Sequence, residues 1–183
     1  MAAVPELESQ AIVFVLDGRE VGVLPNETIL QAARRHGVEI PHLCYKDGLR
    51  PDGNCRVCVV EITGERPLAP SCCRTPSAGM QVSTTSERAR RSQKMVLELL
   101  LSDVVETAYT RDSELDVWAR RLEVGKPRFA SRQQPKHDGS HPAIAVNLDA
   151  CIQCTRCQRA CREEQVNDVI GSADDTGLVL NDD

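Results

Sequence analysis

Eight of the nine cysteines in this 183-residue chain fall into two sets whose spacing suits metal chemistry. Cys44, Cys55, Cys58 and Cys72 stand at C-x10-C-x2-C-x13-C, and Cys151, Cys154, Cys157 and Cys161 at C-x2-C-x2-C-x3-C. Thiolate sulfur is a strong ligand for iron and zinc. Three C-x2-C steps and an odd total argue for metal rather than disulfides.

The first set suits a [2Fe-2S] cluster, which needs four thiolates around two irons and backbone N–H donors toward its sulfurs. One loop supplying Cys44, Cys55 and Cys58 can do both. Gly48 and Gly53 in CYKDGLRPDGNCRVC are expected to let the main chain approach the sulfurs, where a β-carbon would obstruct it. The fourth ligand comes from SCCRTP on a separate segment. Zinc is the rival: a C-x2-C pair with a later cysteine pair could build a ribbon, although adjacent Cys72 and Cys73 fit one tetrahedral site poorly. Buried thiols without a ligand role need no such spacing.

The second set has the run that two-cluster ferredoxins use, in which three cysteines serve one cluster and the fourth serves the other. Cys151, Cys154 and Cys157 are thus expected on one [4Fe-4S] cluster and Cys161 on a second. The usual proline after the fourth cysteine is replaced by Arg162. No cysteine follows Cys161 in this sequence, so the partners of the second cluster are expected outside it.

These sets need elements to hold them. Only 3% of residues are aromatic, which limits core size and predicts small lobes held partly by metal. AIVFVL, Asp17-Gly18 and REVGVL read as a hairpin. A helix follows, with Asn26 as cap, Ile29, Leu30 and Ala33 as its apolar stripe, His36 in the last turn and Gly37 at its end. RVCVVEI and GMQVST read as strands. Thr84 and Glu87 form an expected capping box for a helix running to about Leu101, with Ala89, Ser92, Val96 and Leu99 or Leu100 as its stripe. Arg88, Arg90, Arg91 and Lys94 read as its solvated face. SELDVWARRLEVGKP predicts a short helix around Trp118, stopped by Gly125 and Pro127, and RFASRQQPKHDGSHP reads as linker.

The fold class expected is α+β: a β-grasp domain at 10–84, a helix and linker at 85–140, and half of a ferredoxin-type domain at 141–183. Net charge is −5 without an interleaved basic and aromatic patch, which speaks against nucleic acid. Basic residues gather between Arg120 and Lys136 and acidic ones after Arg162, as two solvated segments or as docking charge. No secretory signal or bilayer-length apolar run is present, and a reducing cytoplasm is the expected location. His36, His42, His137 and His141 have no metal-site neighbours in sequence, though His42 lies near enough to Cys44 to influence it.

CYKDGLRPDGNCRVCVVEI, APSCCRTPSAGMQVST and SERARRSQKMVLELLLS closely resemble the N-terminal β-grasp [2Fe-2S] domain and following helix of the large iron-sulfur subunit of respiratory complex I and its relatives. The resemblance implies that Cys72 is the ligand and Cys73 only its neighbour. Many of those relatives carry a further [4Fe-4S] cluster on an H-x3-C-x2-C-x5-C motif after that helix. Here SDVVETAYTRDSELDVWARRLEVG has no cysteine, so that cluster is expected to be absent. With HPAIAVNLDACIQCTRCQRACREEQVNDVIG, the pattern looks most like the N-terminal part of the α subunit of NAD-dependent molybdenum or tungsten formate dehydrogenases.

The resemblance implies an electron-transfer module with no catalytic site of its own. Its expected partners are a flavin- and NAD-binding subunit and other formate dehydrogenase subunits or the rest of a longer chain. No pterin-binding stretch, dinucleotide fingerprint or catalytic Cys-His pair is present. An all-cysteine centre of this type is expected at about −400 mV, adjusted by cations such as Arg56. Two alternatives stand: a small subunit of a diaphorase, NAD-reducing hydrogenase or complex I-like enzyme, and a zinc-stabilised interaction module.

Overall fold

The computed structural model describes residues 12–104, 113–131, 138–146, 148–167, 169–173 and 177–180. Strands β1 (Ile12–Leu16) and β2 (Arg19–Val23) pair antiparallel, with Ile12 opposite Val23 and Leu16 opposite Arg19. Asp17 at φ 47° and Gly18 at φ 81° make the left-handed turn whose twist matches a two-residue hairpin. Strand alternation then turns Phe14 and Leu16 inward and leaves Val13 exposed.

Helix α1 (Ile29–Arg35) is capped by Thr28, not Asn26. The Gln31 amide donates to Thr28 Oγ1 and the Thr28 amide to Gln31 Oε1, which satisfies two donors that the helix start leaves open. Asn26 is used two residues earlier, at φ 62°, in the turn that delivers the chain to the cap. The helix ends as expected, with His36 as C-cap and Gly37 leaving at φ 74°.

Strands β3 (Val59–Ile62), β4 (Ala69–Pro70) and β5 (Gln81–Ser83) complete a five-stranded sheet of order β2-β1-β5-β3-β4. β5 lies in the middle, parallel to β1 and antiparallel to β3. Ile29, Leu30 and Ala33 of α1 join Phe14, Val60 and Val82 of the sheet in one core, the β-grasp arrangement that the order of elements implied. Cys58 and Cys72 belong to the same core.

Helix α2 (Glu87–Asp103) is capped by Ser86, whose hydroxyl accepts from the Ala89 amide. The expected Thr84 cap fails because Asp17 captures Thr84: its amide and hydroxyl donate to the Asp17 carboxylate at 2.8 and 2.6 Å. The buried stripe is also rotated from expectation, to Ala89, Gln93, Leu97 and Glu98, while Leu99 is exposed. Gln93 lies inward because its amide donates to the Val59 carbonyl at 2.9 Å, fastening α2 to β3. Arg88, read as solvated, donates to Glu61 and to the Arg66 carbonyl, both at 2.7 Å.

Helix α3 (Glu114–Arg121) surrounds Trp118 as expected, with Ser113 as cap. Leu115 meets Leu43, Val57 and Leu97 in a second core against which Trp118 and Ile152 pack. The stretch read as linker is tethered at its start, where Arg128 donates from its amide and guanidinium to buried Glu98 at 2.7 to 3.0 Å. It then contains strand β6 (Asp138–His141), which pairs with β7 (Ile144–Val146). His137 lies outside the described residues.

A 3-10 turn at Leu148–Ala150 leads through the cysteine loop into α4 (Arg156–Arg159) and a wider π-type turn, Ala160–Glu164. Strands β8 (Ile170–Ala173) and β9 (Gly177–Leu180) form a final hairpin that sequence patterning did not reveal. No helix among the described residues is long and apolar enough to cross a membrane.

Candidate metal centre

The first cysteine set is assembled from three places in the β-grasp domain. Cys44 follows α1, Cys55 and Cys58 lead into β3, and Cys72 follows β4. Cys44, Cys58 and Cys72 are at most 1% exposed and Cys55 is half-buried. Arg56, at φ 57°, makes the turn inside the C-x2-C pair. Cys58 and Cys72 are also linked through the main chain, since Ser71 donates to the Cys58 carbonyl from its hydroxyl at 2.6 Å and its amide at 3.1 Å.

Backbone donors face the sulfurs. The Cys44 amide points to Cys55 Sγ at 3.4 Å and the Cys55 amide to Cys44 Sγ at 3.5 Å. Hydrogen bonds from Cys55 and Cys72, with backbone support from Cys55 and Asn54, hold the Cys44 thiol down to about 2. Cys72 likewise draws Cys58 down to about 7, while Cys55 is pushed up chiefly by Cys44, and Cys72 by Cys44 and Cys58. The four sulfurs therefore act as one connected set, in which a charge on one is felt by the others. None of the nine cysteines is in a disulfide.

Four thiols, with main-chain amides aimed at those of Cys44 and Cys55, fit an anionic four-thiolate iron-sulfur centre. Among the described residues, no three His, Cys, Asp or Glu side chains converge as ligands of a single metal ion do. A two-iron centre takes its cysteines in pairs, one pair on each iron, so it does not require all four sulfurs around one point.

Gly48 turns the chain at φ 89°. Gly53, at φ 65°, is crowded by Cys73, whose Sγ would lie 3.0 Å from a β-carbon. Cys73 is exposed, with its sulfur 3.5 Å from that of Cys72. His42 packs edge-on to Tyr45 at 5.8 Å and beside Trp118 at 6.0 Å, and its Nδ1 is bonded to the Ile40 carbonyl.

The second set lies in a loop and the helix after it. Gln153 at φ 53° and Thr155 at φ 59° bend the loop so that Cys151 and Cys154 come near Cys157. Desolvation and the charge of Cys154 and Cys151 push the Cys157 thiol up. Cys151 and Cys154 are half-buried and Cys157 is exposed. Cys161 is buried on the π-type turn, and its thiol donates to the Asn167 carbonyl at 3.3 Å.

The loop of the second set rests on that of the first. Asn54 donates to the Gln153 carbonyl at 2.7 Å, Thr155 to Asp52 at 2.8 Å, and Arg156 to the Tyr45 carbonyl at 3.0 Å. Arg159 reaches the carbonyls of Cys44, Arg50 and Cys154. Sequence reasoning missed all of these contacts, because nothing in the spacing shows that the two loops touch.

The sheet, its helix and the four connected thiols define a ferredoxin-like [2Fe-2S] domain, and residues 9–87 match the family described as "2Fe-2S iron-sulfur cluster binding domain". The chain is similar to subunits of NADH oxidoreductases and of an NADP-reducing hydrogenase. The chain is 35% identical over 176 residues to "NADP-reducing hydrogenase subunit HndD" of Solidesulfovibrio fructosivorans, covering 87% of this chain and 29% of that protein. It is 32% identical over 164 residues to "NADH-ubiquinone oxidoreductase 78 kDa subunit, mitochondrial" of Candida albicans, covering 86% of this chain and 22% of that protein. It thus spans less than a third of the length of either relative. A chain of a crystal structure of an NAD+-reducing [NiFe]-hydrogenase in the H2-reduced state superposes with TM-score 0.82 at 28% identity, over 92% of this chain and 74% of that one.

Proposed function

We propose that this chain is an iron-sulfur electron-transfer module of an NAD-linked oxidoreductase complex. The observation that carries the reading is the placement of four cysteines, brought from three places in the fold, with main-chain amides aimed at the sulfurs of Cys44 and Cys55. Cys44, Cys55, Cys58 and Cys72 would hold a [2Fe-2S] centre. Cys151, Cys154 and Cys157 would supply three ligands of a [4Fe-4S] centre, and Cys161 one ligand of another. When bound, such centres supply one-electron redox chemistry.

The chain's own residues do the rest. The core keeps water from Cys44, Cys58 and Cys72, and the Cys44 and Cys55 amides stabilise negative charge on the sulfurs. Contacts of Asn54 and Asp52 with the second loop hold the two sets side by side.

More narrowly, the complex is read as an NAD-dependent formate dehydrogenase containing molybdenum or tungsten, with a flavin- and NAD-binding subunit as partner. Support comes from the absence of any cysteine between Cys73 and Cys151, where many complex I relatives place a third motif. A second reading, a small subunit of an NAD-reducing hydrogenase or diaphorase, is favoured by similarity to hydrogenase subunits and by coverage of 74% of one such chain. A reducing cytoplasm suits either.

Anaerobic purification with iron and sulfide analysis tests the module. About two irons per chain mean the first centre alone, about six mean both, and a colourless zinc protein would overturn the proposal. Formate or hydrogen, offered to the native complex while the reduced EPR signals are followed, separates the two narrower readings.

A further inference from the structure

The two cysteine loops are joined through one buried cation. Arg159 lies at the end of α4 and is only 6% exposed. Its Nη1 donates to the Arg50 carbonyl at 2.5 Å and its Nε to the Thr155 hydroxyl at 3.1 Å. Its Nη2 donates to the carbonyls of Cys44 and, at 3.4 Å, of Cys154. One guanidinium fork thus grips a cysteine of each set by its main chain.

Its charge reaches a carboxylate only indirectly, through the Thr155 hydroxyl that donates to Asp52 at 2.8 Å. The oxygens that Arg159 bonds are all neutral, and among the described residues no carboxylate pairs with it. Neighbouring Arg156, by contrast, is paired with Glu114. A buried cation without an anion is strongly disfavoured, so such an arginine implies negative charge nearby. If both cysteine sets hold thiolate-ligated iron-sulfur centres, as the proposed function has it, each is anionic, and Arg159 bonds the main chain of both loops. Lysine could carry the charge but not the rigid fork.

We propose that Arg159 is a positioning residue that bolts the loop of Cys151, Cys154 and Cys157 onto the loop of Cys44 and Cys55 and serves as the internal counter-charge of the centres they hold. Two roles in one side chain predict two separable losses. Removing the charge makes the first centre harder to reduce, because reduction adds a negative charge beside it. Removing the fork loosens the second loop whether or not the charge is kept.

The test compares the wild-type chain, R159Q and R159K, each loaded with iron and sulfide under anaerobic conditions. Redox titration of the first centre's EPR signal should give a lower midpoint potential in R159Q and a value near wild type in R159K. Hydrogen exchange at the amide of residue 159, which donates to the Thr155 carbonyl at 2.9 Å, should be about tenfold or more faster in both variants. Equal potentials in wild type and R159Q would overturn the counter-charge role, and unchanged exchange in both variants the bolt. R159K guards against a folding defect in R159Q. Wild-type iron of about two per chain would remove the second centre from the proposed function, yet the first centre's potential would still report on Arg159.

Discussion

Cys58 and Cys151 each belong to a C-x2-C pair, but they stand on different ground. Cys58 is 1% exposed, shares a core with Phe14 and Val60, and is joined to Cys72 through Ser71. Cys151 lies half-buried in a loop shaped by residues with left-handed backbone and supported by side chains of the other set. The first set is placed by long-range packing and stands by itself. The second is placed by local turns and by leaning on the first, so disturbance should travel from the first set to the second more readily than back.

The largest test of that asymmetry is Cys58→Ser, which should abolish the [2Fe-2S] EPR and visible spectrum. Cys157→Ser should leave that spectrum intact and lower only the remaining iron, and loss of the first signal there would break the comparison. Next, Phe14→Ala removes a fully buried ring from the first core and should cost about 3–5 kcal/mol in chemical denaturation. Val169→Ala, at a position 47% exposed near the second set, should cost only about 0.5 kcal/mol.

A smaller effect concerns the Glu98–Arg128 tether. Arg128 holds the Glu98 carboxyl below its ordinary value of 4.5. Its contribution to stability is therefore full above that value and is lost as pH falls through the depressed one. E98Q should be less stable than wild type at neutral pH, and the gap should close in acid, as followed by denaturation across pH. Smallest of all, Cys73→Ser should leave iron content and the first spectrum unchanged, and a lost signal would make Cys73 a ligand.

Much of the first region was legible because its signals are local or periodic. Asp17-Gly18, the His36-Gly37 helix end and the Trp118 helix all behave as their sequences suggest. The misplaced caps have non-local or competing causes. Thr84 is taken by Asp17 from across the fold, and Asn26 is needed for backbone shape before the true cap. Gln93 was overlooked on α2 because a polar side chain reads as solvent-facing until the Val59 carbonyl is seen beneath it. The two-residue β4 and the last hairpin are too short for alternation to stand out. Spacing announced the cysteines but was silent on Arg159, whose importance depends on carbonyls that lie far from it in sequence.

The position of β5 bears on the order in which the molecule is made. It is the last sheet strand to be synthesised and the middle one in space, so until Gln81–Ser83 emerge from the ribosome the sheet exists as two halves with unpaired edges. Cys44, Cys55, Cys58 and Cys72 are all synthesised before it. Closure must bring Val15 to Gln81, a distant pairing that forms late and slowly. Maturation thus has a window in which all four thiols are present but the half-sheets are still apart, and iron delivered in that interval meets an open cradle.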